Sequence, residues 1–190
     1  MTDKLHNLPL FPLDIFLLVG GMTRLRIFER RYLKMISLSA SMGGFIISSN
    51  KQEDSNATRW GSLVEVVNFD KGEDDILEID VKCTALVGLS NIEQDSDELH
   101  FADYSRFEHW SQGNTDQHEA FLSDSLHMLF KGNKLLDELY PEKLIDNGDW
   151  VISRWLELLP IPFDMKNEFI FKSSFSEAQT LVNSIISKEN

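Results

Sequence analysis

The stretch ILEIDVKCTALVGL, Ile76–Leu89, alternates with a period of two. Ile79, Val81, Cys83, Ala85, Val87 and Leu89 fall on one face, and Glu78, Asp80, Lys82 and Thr84 fall on the other. Alternation over that length predicts a β-strand with one buried face. GSLVEVVNFD, immediately upstream, is enriched in β-branched residues, and the polar FDKGEDD between the two reads as a hairpin loop. Working outward, GGFIISSN and ELHFADYSRFEHW read as further strands, the latter shifting phase near Asp103 as at a bulge. MTRLRIFE alternates as well, setting Thr23, Leu25 and Ile27 opposite Arg24, Arg26 and Phe28. A short helix is expected from about Arg30 to Ser39, with Leu33 and Ile36 inward.

The second part of the 190-residue chain reads as helical. Leu122, Leu126, Leu129, Leu136 and Tyr140 lie near helical spacing, Gly132 and Asn133 weaken the middle, and Pro141 ends the run. DWVISRWLELL is apolar nearly all round, which predicts a buried helix stopped by Pro160 and Pro162. SFSEAQTLVNSII opens with a capping-box pattern, Ser174 and Glu177, and continues with Ala178, Leu181, Val182 and Ile185. The polar SQGNTDQHE at 111–119 marks the expected boundary, giving a β lobe over 1–112 and a helical lobe over 113–190.

Composition narrows the function. No apolar run reaches the ~18 residues of a membrane helix, and the first residues lack the basic region and cleavage site of a signal peptide. One cysteine excludes an intrachain disulfide and fits a reducing compartment, so the cytoplasm is the expected location. The net charge of −13 disfavours nucleic acid as a partner, because phosphate binding rests on Lys and Arg. Arg24, Arg26, Arg30, Arg31 and Lys34 nevertheless form a local basic cluster.

No catalytic or cofactor motif is found. The phosphate-cradling G-x-x-x-x-G-K-[ST], the dinucleotide G-x-G-x-x-G, the esterase G-x-S-x-G and the zinc-protease H-E-x-x-H are all missing. His100, His109, His118 and His127 recur every nine residues. Nine residues turn a helix by about 900°, which puts neighbours on opposite faces, so a shared metal is not expected. Cys83, on the apolar face of its strand, reads as a small buried hydrophobe. The sequence therefore predicts no catalytic residue, no metal and no cofactor. Phe16, Trp60, Phe69, Phe101, Tyr104, Phe107 and Trp110 crowd the β part. Most belong in a core, but a few on the surface would make an adhesive patch for extended peptide.

The opening of the chain carries a resemblance. Pro9-Leu10-Phe11-Pro12-Leu13, Gly20-Gly21, Leu25-Arg26-Ile27-Phe28-Glu29 and Arg31-Tyr32-Leu33-x-Met35 occur in that order. Gly61–Asp70 follows, and later Trp150-Val151 with Arg154-x-Leu156-Glu157-Leu158-Leu159-Pro160-Ile161-Pro162. Together these resemble the Lon protease N-terminal (substrate-binding) domain family, in particular the stand-alone bacterial proteins made only of that domain. Val19, Arg24 and Arg30 stand where the family pattern has prolines, and VKCTALVGL replaces its R-G-x-x-R-F. The resemblance implies an α+β fold: an N-terminal PUA-like β pseudo-barrel carrying a short helix, followed by a C-terminal helical bundle. It also implies a non-catalytic module that recognises protein or unfolded peptide in protein quality control, with a separate AAA+ protease as a candidate partner. Phe16 and Leu18 before the Gly-Gly turn, Trp60 at a strand start and Phe107 after the phase shift are the candidate peptide-binding residues. Two alternatives are a PUA-like nucleic-acid-binding protein using the basic cluster, and a small-molecule binder using a cleft between lobes.

Overall fold

A computed structural model describes residues 6–50, 59–72, 74–110 and 120–189; the expected boundary segment 111–119, with His118, lies outside them. The chain divides into two compact units, Met1–Phe107 and Glu108–Asn190.

The first unit holds β1 (His6–Pro12), β2 (Met22–Ile27), α1 (Arg30–Met42), β3 (Phe45–Ser48), β4 (Trp60–Lys71), β5 (Leu77–Gln94) and β6 (His100–Phe107). The strand order is β2-β5-β4-β3-β1-β6, and β5 also pairs with β6. The sheet therefore closes on itself through β5-β4-β3-β1-β6, with β2 attached outside the ring. Closure depends on the length of β5: its first part, Leu77–Lys82, pairs with β2, and its last part, from Leu86 to Gln94, pairs with β6. Each ring strand sends side chains into the interior, where Leu8, Leu10, Ile46, Leu63, Val87, Leu89 and Ala102 form one cluster.

Two bulges explain how one alternating strand serves two cores. Leu63 pairs with Ala85 but Val64 pairs with Cys83, so Thr84 is an extra residue. Val87 and Leu89 thus face the barrel interior with Ala85 packed against them. Ile79, Val81 and Cys83 share the opposite face with Val64, Val66 and Phe69. A period-two pattern continues through such a bulge in sequence while the strand rotates in space. The second bulge places Val67 between the Val66–Val81 and Asn68–Asp80 pairs. A further irregularity lies on β5 between Ser90 and Glu93, where Asn91 takes a φ of 48°. The phase shift expected near Asp103 of β6 thus resides in the partner strand, while β6 pairs without interruption to β1.

The barrel's outer face is also covered. Phe11 of β1 meets Tyr32 of α1 at 4.4 Å and Phe45 of β3 at 6.4 Å, so β3 is buried on both faces. Helix α1 turns Tyr32, Met35, Ile36 and Ser39 inward, whereas Leu33, expected inside, is 42% exposed.

The second unit contains α2 (Ala120–Gly132), α3 (Lys134–Leu139), α4 (Gly148–Leu158), α5 (Phe163–Asn167) and α6 (Phe175–Glu189). The run expected to weaken at Gly132-Asn133 is split there: Asn133 accepts a bond from the Leu136 N–H and caps α3. Helix α4 is buried almost throughout, as its composition predicts. Its Arg154, 0% exposed, makes two 2.7 Å bonds to Glu157 and lies beside the Tyr140 and Trp150 rings. Leu122 and Leu126 are buried, Leu129 is exposed with Phe130 taking the inward place, and Ile186 is more buried than Ile185. Trp110 packs in this unit, edge-on to Phe175, and donates to the Ser174 hydroxyl.

Candidate functional site

The Gly-Gly turn and the residues before it line the barrel's outside. Gly20, at a φ of 80°, donates to the Cys83 carbonyl, and the Cys83 N–H returns a bond to Gly21. The Ser62 hydroxyl donates to the Leu17 carbonyl at 2.6 Å. This pins the preceding segment against the sheet and decides the fate of three predicted contact residues. Phe16 (7% exposed) stacks edge-on with Trp60 (5%) at 5.7 Å, and Leu18 is fully buried. These three are covering side chains, because the outer face of a small barrel needs an apolar cover of its own. Phe107 is half-buried and lies two strands over, in the register row Ser62–Leu86–Phe107.

An exposed aromatic stands beside a hollow elsewhere on this unit. Helix α1 ends at Gly43, whose φ of 83° brings its N–H back to the Ser39 carbonyl. Gly44 follows at a φ of 119°, and a Cβ there would lie 2.3 Å from the Val64 carbonyl oxygen. Only glycine lets the chain pass so close to β4. The passage leaves a concavity of about 270 Å³ lined by Ser39, Ala40, Gly43, Gly44, Glu65, Val66 and Phe69. Phe69 at its rim is 59% exposed and the neighbouring bulged Val67 is 49% exposed. An exposed aromatic beside an apolar hollow is what an adhesive patch requires. Phe69 stands among the aromatics of the sequence, and its exposure follows from the Val67 bulge and the end of α1.

The back of the same strands is polar. Arg24 of β2 forks onto Asp80 of β5 at 2.7 and 3.1 Å, and Asn68 of β4 donates to the same carboxylate at 3.1 Å. The Arg24 hydrogen bond, with help from Asn68, holds the Asp80 carboxyl below its ordinary range against the opposing effect of burial. Three more of the basic cluster are also engaged, while Arg30 is exposed. Arg26 pairs with Asp74 and Glu78, Arg31 with Glu29, and Lys34 with Asp95 and Asp97. A cluster so neutralised is a poor phosphate-binding surface.

The remaining reactive groups are accounted for by packing. Cys83 is buried. His109 stacks on Trp110 and its Nε2–H donates to the Phe169 carbonyl at 2.9 Å. Burial pushes its pKa down to about 4, with Arg154 adding to the shift. Burial likewise lowers the pKa of Lys166, whose Nζ donates to the Glu157 carbonyl. Among the described residues no three His, Cys, Asp or Glu side chains converge as metal ligands. No helix among them is long and apolar enough to cross a membrane.

No family model and no curated protein matches the sequence. Solved structures do match the fold. A Lon N-terminal domain protein from Xanthomonas campestris superposes with a TM-score of 0.66 at 23% identity, covering 94% of this chain and 97% of that one. The N-terminal domain of the Mycobacterium avium complex Lon protease gives a TM-score of 0.66 at 10% identity, covering 97% of this chain and all of that one. The chain has the α+β fold of Lon N-terminal domains.

Proposed function

We propose that this protein is a non-catalytic recognition module that holds exposed apolar segments of other polypeptides. The observation that carries the reading is the hollow between the end of α1 and β4, with Phe69 left exposed at its rim. The fold, shared with Lon N-terminal domains, supports it. The resemblance extends the reading to protein quality control in the cytoplasm, as an adaptor that delivers clients to a separate AAA+ protease. Surface aromatics of this kind supply much of the affinity at peptide-binding sites, and truncating one typically costs about 1–2 kcal/mol.

The test is titration of the intact protein with a fluorescently labelled, reduced and carboxymethylated protein, using its native form as control. The unfolded form should bind and the native form should not. Phe69→Ser should weaken binding by about tenfold, or ~1.4 kcal/mol, and Phe107→Ser by less. Equal binding of native and unfolded forms, or a Phe69→Ser variant that binds like the parent, would overturn the reading. Native-lysate capture followed by mass spectrometry then addresses the adaptor role: enrichment of one AAA+ protease supports it, and its absence removes that extension alone.

A further inference from the structure

The inference rests on the recognition reading and concerns how a segment would be held. Strand β3 pairs with β4 only through Ser62, Leu63 and Val64. Beyond Val64, Glu65–Lys71 pairs with β5 along one edge. Among the described residues no strand pairs with its other edge. That edge keeps backbone donors and acceptors pointing away from the sheet, as any unpaired strand edge does, save the Lys71 N–H, which donates to the Asp70 carboxylate at 2.7 Å. The Gly43-Gly44 turn carries the chain off the edge where β3 would otherwise extend, and so opens both the edge and the hollow beside it.

We infer that Glu65–Lys71 of β4 is a docking edge for an extended, basic polypeptide segment, which adds as a further strand and sets one apolar side chain between Phe69 and the Gly43-Gly44 turn. Strand addition takes its affinity from main-chain hydrogen bonds and its selectivity from pockets for alternate side chains; edge and hollow lie side by side here. Charge chooses the occupant. Glu65 and Asp70 are exposed on this strand, and Lys71 is paired with Asp75 at 2.6 Å. The C-terminal end of α1, which carries the negative pole of its dipole, borders the hollow. In two antiparallel copies of this edge, the register that opposes Glu65 to Asp70 sets like charges face to face, which disfavours self-pairing in that register.

The experiment uses the intact protein and a fluorescein-labelled octapeptide alternating Lys with Phe or Val. Two analogues accompany it: one with alternate backbone amides N-methylated, one with Glu replacing Lys. The parent peptide should bind at about 50 mM salt, where surface charges are weakly screened. Both analogues and the Phe69→Ser variant should bind about tenfold more weakly. Amide exchange in Glu65–Lys71 should slow when the parent peptide is bound. If binding depends on Phe69 but ignores N-methylation and leaves exchange at Glu65–Lys71 unchanged, the docking edge is wrong while the recognition reading survives. If the Glu analogue binds as well as the Lys peptide, the basic occupant is wrong. If neither peptide binds but an unfolded protein does so through Phe69, the inference again falls alone. A concentration-dependent dimer that the peptide dissociates would give the edge to a second copy and overturn the proposal.

Discussion

At the scale of single residues, what a side chain does here is set by what covers it. Phe16 and Trp60 are chemically as suited to a peptide contact as Phe69 is. The Ser62–Leu17 bond draws the segment around Phe16 over the barrel, and the Val67 bulge leaves Phe69 outside. Cys83 was legible as a buried hydrophobe from alternation alone, because its neighbours at two-residue spacing are all apolar. His109 shows the cost of cover most directly. An unfolded chain takes up a proton at this side chain near pH 6.5, whereas the folded one does so only near pH 4. Between those values the unfolded state holds more protons, so stability falls as pH falls through that window and is fully present above it. The effect amounts to at most about 3 kcal/mol. His109→Gln removes this titration while keeping a donor for the Phe169 carbonyl. The difference in unfolding free energy between the two proteins should shrink from about pH 7.5 to about pH 4.5; a constant difference would show that the His109 proton is irrelevant to folding.

At the scale of elements, the fold was legible wherever periodicity and punctuation agreed. The strand from Ile79 to Leu89, the buried α4 and the break at Gly132-Asn133 all follow from local pattern. Bulges were not legible at Thr84 or Val67, because an inserted residue changes which core a strand faces without breaking its alternation. Barrel closure was expected from the family resemblance but was equally hidden in the local pattern, since it depends on β5 being long enough to serve three partners. Leu33 erred for a simpler reason: α1 rotates so that Tyr32, Met35 and Ile36 fill its inner face. The same helix offers a clean element-scale prediction. Arg30 is its first residue, exposed, and follows Glu29 at φ −76° and ψ 136°. That backbone is what a residue before proline requires, and the N–H lost at the first helical position has no intrahelical partner. Arg30→Pro should therefore stabilise the protein by about 0.4–1 kcal/mol through a more restricted unfolded chain. Chemical denaturation checks it; destabilisation would mean that the Arg30 side chain has a role of its own.

At the scale of the whole molecule, charge separates the two readings a barrel of this kind invites. The net charge of −13 repels a phosphate backbone. Most of the cluster that could have opposed it is occupied, Arg24 by Asp80, Arg26 by Asp74 and Glu78, Arg31 by Glu29, and Lys34 by Asp95 and Asp97. Recruiting those cations to phosphate would leave several carboxylates without their cations, Asp80 the worst placed because it is only 6% exposed. A buried carboxylate stripped of its guanidinium costs more than a surface phosphate contact returns. Arg24→Glu distinguishes the cases in one variant. If Arg24 serves the fold, the substitution sets a second carboxylate against Asp80 and lowers the unfolding midpoint by several degrees, about 2–4 kcal/mol, while binding of the unfolded client through Phe69 persists below that midpoint. Under a nucleic-acid function, the parent protein would retain RNA on a filter at low salt and Arg24→Glu would release it. We expect no retention by either protein, so the loss at Arg24 should be one of stability alone.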